Sequence, residues 1–314
     1  MSNVMESKRP NKYEFIRKKI SMRENLKNVS MISTGSAHTM NPQLRYKNTN
    51  TCKVVLFTNA RDELHMKEWA AHHILLGFDK VCIFDHKSKI PLKLTLNRFD
   101  PKVLVERCDI ISSPKLRLMN IAARKALEWG ATWFIYLDAD EFLILPKHHN
   151  VKHFLSSYNY ADSISINWLM FGSNHLKKEP EGLILETYTK SQVLLHDHCK
   201  TFVRPNAVIN ASNPHFYNMK NNKRIYSCFG KHMIQPYHKF DIQKSYNDTN
   251  AFIAHYVFQS EETYQNRKIN LPRDDTNEMR SLDKNIHGSF NDIDNFIPKQ
   301  LYAARVNKYL LDHN

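Results

Sequence analysis

The chain has 314 residues, of which 42% are hydrophobic and 11% aromatic, enough for a sizeable core and too apolar for wholesale disorder. A net charge of +14 calls for anionic partners, whether nucleotide phosphates, nucleic acid or an acidic membrane surface, without choosing among them. The five cysteines form no C-x-x-C pair and no apolar run reaches about eighteen residues, which excludes a zinc ribbon, a disulfide framework and a spanning helix and suggests a soluble protein in a reducing, cytoplasmic setting.

Residues 1–50 carry ten Lys or Arg against Glu6, Glu14 and Glu24, half of the net charge, and show little periodicity. They read as a flexible basic extension. Lys53–Thr58 is a strand, turned by Asn59–Asp62. Met66, Trp69, Ala70, His73 and Ile74 follow at helical spacing, and Gly77 ends that helix. Lys80–Phe84 is a second strand, stopping at Asp85, and Val103–Val105 a third. Ser113-Pro114 opens a helix as N-cap and N1 proline, and Met119, Ala122, Ala123, Ala126 and Leu127 form its apolar face. Strands alternating with helices predict an α/β fold with a largely parallel, Rossmann-like sheet. No G-x-G-x-x-G or P-loop occurs, so phosphate would be held by metal and cations rather than by a glycine cradle.

The next stretch, Trp133 to Leu143, runs five apolar residues straight into Asp138-Ala139-Asp140-Glu141. Such a run predicts a buried central strand, and its carboxylates must emerge where the strand ends. In open α/β sheets that edge binds ligands. In extended geometry Asp138 and Asp140 leave the same face, where two hard oxygen ligands suit Mg²⁺ or Mn²⁺ held jointly with phosphates. A second D-x-D, Asp292-Ile293-Asp294, follows no strand and belongs to a loop before a helix. Asp162–Trp168, Leu183–Tyr188 and Lys200–Arg204 read as further strands, and Pro298 opens a last helix with Leu301, Tyr302, Val306, Tyr309 and Leu310 in its stripe. No linker is evident, so residues 51–290 form one domain and 291–314 a helix packed on it.

Several segments, in order, resemble the metal-dependent GT-A glycosyltransferases, and more narrowly families 2 and 92. Asn59-Ala60-Arg61-Asp62-Glu63 and Glu68-Trp69-Ala70-Ala71-His72-His73 resemble an N-E…E-W…H opening, with Arg61 departing from an acidic position. Gly77 to Asp85 resembles a G-x-D-x-(hydrophobic)-D strand, and Trp133 to Leu143 the W…D-x-D-E-F core. Trp168 to Ser173, Lys200 to Pro205 and His255-Tyr256 resemble its W-x-x-F-G-S, K-x-x-(hydrophobic)-x-P and H-Y elements.

The resemblance implies a GT-A fold and transfer of a sugar from a nucleotide-sugar, a UDP-sugar foremost, to an acceptor hydroxyl on a glycan, protein or lipid. Asp138 and Asp140 would hold Mn²⁺ or Mg²⁺ against the diphosphate, with His255 as third ligand. Thr58, Asn59, Arg61, Glu63 and Asp85 would face the nucleotide, Asp85 having a turn cap as its alternative. Lys115 and Arg117 would reach the diphosphate unless they form a solvated helix face. Lys200, His215, Lys268 and Arg273 match late cationic or imidazole positions, and Trp168 would stack on a sugar or pack in the core. An inverting transfer needs a carboxylate base, for which Glu186 is the candidate with Asp197 behind it; a retaining transfer needs none. A homo-oligomer is allowed, and specific nucleic-acid binding is not expected because basic residues outside the N-terminal arm are dispersed. The competing readings are an Asp-dependent phosphatase or phosphotransferase, disfavoured by Glu141-Phe142 after the second Asp, and a basic nucleic-acid-binding protein.

Overall fold

Every residue of β1 (Val54–Ala60) is buried, and its side chains alternate between the two faces of a central sheet. On one face Val54 and Leu56 pack with Trp69, Ala70 and Ile74 of α1 (Met66–Leu75). On the other, Val55 and Phe57 pack with Cys82 and Phe84 of β2 (Lys80–His86) and a helical layer described below. The computed structural model describes residues 52–313, apart from 97, 111–112, 237–243 and 282–287. The expected basic extension, 1–50, lies outside the described residues.

After β2 come β3 (Val103–Cys108), α2 (Pro114–Glu128), β4 (Trp133–Tyr136), β5 (Glu141–Ile144), β6 (Ser163–Met170), β7 (Cys199–Val203), β8 (Phe252–His255) and α3 (Ala304–Asp312). Leu118, Met119, Ala122 and Ala126 of α2 supply the layer over Val55 and Phe57. β4, β1, β2 and β3 are neighbours in that order and all parallel. β7 enters antiparallel between β4 and β6, so the sheet is parallel in its first half and mixed in its second. β8 runs parallel to the end of β6 and antiparallel to β5. α3 continues from a π-helical turn, Lys299–Ala303, and buries Tyr302, Ala303 and Val306 in the core shared with α1; Leu301 stays exposed. Among the described residues, no helix is long and apolar enough to cross a membrane.

Two local expectations are corrected. Ser113 sits at φ 46° and makes no capping bond with its side chain; instead the Lys115 amide of the first helical turn donates to the Asp274 carbonyl. Leu183–Tyr188 is not a strand. Ile184–Thr187 form one helical turn, because the buried Glu68 carboxylate accepts the Ile184 and Leu185 amides at 2.8 and 2.9 Å.

Candidate active site

The parallel register brings Asn59 of β1, the end of β4 and the first turn of α2 to one edge of the sheet. β4 stops at Tyr136, and Ala139–Asp140 make a turn before β5. Glu141 closes that turn twice: its amide donates to the Asp138 carbonyl (3.1 Å), and its carboxylate accepts the Asp138 amide (2.8 Å). The two aspartates therefore leave a turn rather than one face of an extended strand, and they meet different partners.

Asp138 lies between two lysines. Lys115 Nζ from α2 contacts Oδ1, and Lys200 Nζ from β7 donates to Oδ2 at 3.0 Å. Burial would push the Asp138 carboxyl up, but Lys115 and Lys200 outweigh it and hold it well below the usual carboxylate range. Lys200 is 1% exposed and also stands 3.7 Å from the fully buried Glu141, whose carboxyl burial pushes up to about 7 against the pull of that lysine. Asp140 is 1% exposed; Lys268 Nζ reaches its Oδ2 at 2.6 Å and Arg267 at 3.4 Å. Its Oδ1 accepts no hydrogen bond and faces His255 Nε2 at 3.5 Å. His255 is placed there by β8, whose partner in β5 is Glu141, and by the Tyr256 amide, which donates to the Asp140 carbonyl. Burial opposes ionisation of Asp140, yet Lys268, His255 and Arg267 keep it ionised.

Lys115, Asp138, Asp140, Lys200, His255, Arg267 and Lys268 line a cleft of about 210 Å³, together with Asn59, Arg61, Glu63, Trp168, His215 and the segment from Leu271 to Asp275. Seven Lys or Arg and five Asp or Glu face it, a net +2 that favours an anion. Asn59 is fixed from three sides: Tyr136 Oη and Lys115 Nζ donate to its Oδ1, and its Nδ2 donates to Asp274 Oδ2 at 2.7 Å. Glu63 pairs with Arg267 at 2.5 Å. Each cleft carboxylate thus already has a cation or amide beside it.

The family model for glycosyltransferase family 92 matches residues 47–290. The chain belongs to glycosyltransferase family 92. A family 92 protein of Oryza sativa subsp. japonica is 23% identical over 244 residues, covering 72% of this chain and 40% of that relative; the chain thus spans well under half of that relative's length. Among solved structures, HddC from Yersinia pseudotuberculosis is similar at TM-score 0.36 and 11% identity, over 68% of this chain and 97% of that one. A 4-diphosphocytidyl-2C-methyl-D-erythritol synthase is similar at TM-score 0.35 and 12% identity, over 63% and 95% of the respective chains.

Within this family 92 chain the cleft gathers Asn59, Arg61, Glu63, Lys115, Asp138, Asp140, Lys200 and His255, with Trp168, His215, Lys268 and Arg273 beside them. Five expected residues fall outside. Thr58 is buried, with its hydroxyl on the Asn59 carbonyl. Asp85 takes the turn-cap role: it accepts the Ser88 and Leu92 amides and pairs with Arg107 at 3.1 Å. Arg117 is exposed because two residues along a helix from Lys115 rotate a side chain by about 200°. Glu186 sits half-buried on its helical turn, away from the cleft, and Asp197 lies between two histidines rather than in the lining. Arg267 and Asp274 have site contacts that sequence reasoning did not single out. The Arg267-Lys268 pair shortly after His255-Tyr256 was the available signal for the first; Asp274 gives none.

Proposed function

We propose that this protein transfers a sugar from a nucleoside-diphosphate donor, a UDP-sugar foremost, to a hydroxyl acceptor, with Mn²⁺ or Mg²⁺ bound at the D-x-D turn. The observation that carries the reading is a buried Asp140 oxygen without a hydrogen-bond donor, 3.5 Å from His255 Nε2, in a cleft of a family 92 chain lined by lysines and arginines. That donor pair fits a divalent ion, and its imidazole favours Mn²⁺ over Mg²⁺. Asp138 supports it less directly, since both its oxygens already meet lysines.

Bound there, the ion would supply positive charge to the diphosphate as its bond to the sugar breaks. The chain's own residues do the rest. Lys115, Lys200, Arg267 and Lys268 stand ready to neutralise the same developing charge, and being held by carboxylates they need little reorganisation. Asn59 and Arg61, at the end of β1, take the nucleoside side. Trp168, on the His255 side of the cleft, offers its ring to the sugar or acceptor.

The test is thermal stability with nucleotides. UDP or GDP should raise the melting temperature only when Mn²⁺ or Mg²⁺ is present, as linkage requires of a ligand of the folded state. Hydrolysis of a panel of nucleotide-sugars then identifies the donor. If nucleoside diphosphates with metal have no effect while DNA or RNA stabilises strongly, the proposal fails.

A further inference from the structure

We propose a second, separate metal site for a borderline transition cation of the Zn²⁺ class, formed by His196, Asp197 and His198 behind Trp168. Three donor atoms converge there. His196 Nδ1 and His198 Nδ1 are 3.2 Å apart, and Asp197 Oδ1 lies 3.2 and 3.1 Å from them. A tetrahedral ion with ligands about 2.0–2.1 Å away has ligand–ligand edges of about 3.3 Å, so this triangle closely matches one face of that polyhedron. Two imidazoles and one carboxylate select Zn²⁺, Co²⁺, Ni²⁺ or Cu²⁺ over Mg²⁺, and three protein ligands leave a fourth position for water.

The loop is pre-shaped by contacts that do not use these donor atoms. The His196 amide donates to the Trp168 carbonyl (2.7 Å), the Trp168 amide to the His198 carbonyl (2.9 Å), and buried Asn167 Nδ2 to the His196 carbonyl (3.0 Å). One further bond does use a donor atom: the His198 amide donates to His196 Nδ1 at 3.2 Å, and an ion on that nitrogen would displace it. All three side chains are about 30% exposed, so an ion can enter from solvent.

The site is coupled to the cleft through two rings. His198 stacks on Trp168 with centroids 5.3 Å apart and 15° between planes and lies 5.1 Å from the His215 ring, and both Trp168 and His215 line the cleft. An ion on His198 would therefore fix the Trp168 wall. This inference rests on the loop geometry and is independent of the proposed transfer reaction.

The experiment titrates Co²⁺ into the chelator-treated protein and follows tryptophan emission and visible absorption. The expected result is saturable quenching by a Co²⁺ ion that excess Mg²⁺ does not reverse, with the intense visible bands of four-coordinate Co²⁺. Trp168→Phe should remove the quenched fraction. Combined His196→Gln and His198→Gln should raise the midpoint at least tenfold, with Asp140→Asn leaving it unchanged. A weak octahedral spectrum from the unaltered protein would overturn the proposal without recourse to any variant. So would an unshifted midpoint in the double variant, or quenching abolished by Asp140→Asn, which would place the ion at the D-x-D turn.

Discussion

Asp140 illustrates how burial changes what a substitution does. A carboxylate at a strand edge would be expected to tolerate amidation with little effect on folding, but this one is 1% exposed among Lys268, Arg267 and His255. Asp140→Asn should therefore reduce sugar transfer on the order of 10²–10³-fold, the scale of losing one preorganised electrostatic partner. It should also destabilise the fold by about 3 kcal/mol, since it leaves buried cations unpaired. Activity assays and urea unfolding on the same preparation measure both. Lys200→Met leaves Asp138 and Glu141 facing each other without their shared ammonium. A loss of about 3 kcal/mol is expected at pH 8. Part of it should return at pH 5: burial raises the Glu141 carboxyl, so its neutral form is available as pH falls through about 7. Urea unfolding at the two pH values checks the difference. At this scale the aspartates, His255 and Lys200 were legible, because chemistry-bearing types stood in a recognisable order. Their pairing was not, because nothing local connects Asp140 to Arg267 across 127 positions.

Elements were read more securely than their ends. The strands β1, β2 and β4 and the helices α1 and α2 declare themselves through period and apolar content, and Gly77 at φ 93° terminates α1 as expected. Leu183–Tyr188 was misread because its alternating apolar residues resemble a strand, whereas a carboxylate from α1, 116 positions away, caps it as a helical turn. The W-x-x-F-G-S segment, which begins in the last residues of β6, carries a physical reason for its glycine. A Cβ on Gly172 would come within 2.4–2.8 Å of the Asn291 amide, which accepts the Asn174 amide hydrogen and donates to the Ser289 carbonyl. Gly172→Ala should displace Asn291 and lower stability by about 1–3 kcal/mol, as overpacking does, measurable as a reduced urea midpoint.

Across the whole molecule, stability near neutral pH is set by opposed groups. Burial pushes His72 down to about 4, and burial together with His72 keeps His73 neutral as well. Both are lowered groups, so the stability they contribute is full above the ordinary imidazole value of about 6.5 and is lost as pH falls towards 4. Burial raises Glu68 to about 7, so its contribution runs the other way: full below about 4.3 and lost as pH rises through 7. His72→Phe should make the decline between pH 6.5 and 4.5 shallower by about 1.4 kcal/mol per pH unit, the slope of one proton. Chemical unfolding across that range checks it. A constant offset from the Leu143 carbonyl, which loses its donor, does not alter the slope.

The bond from Asn59 to Asp274 ties together positions 215 apart. During synthesis, a nascent polypeptide that has emerged only through β6 already exposes both aspartates, yet it possesses neither Arg267 nor Lys268 to neutralise them. This edge of the sheet should consequently be among the last features to mature, after the closure of a very long loop. A ribosome that stalls before Lys268 leaves a product with a nearly complete parallel half-sheet and an incomplete cleft.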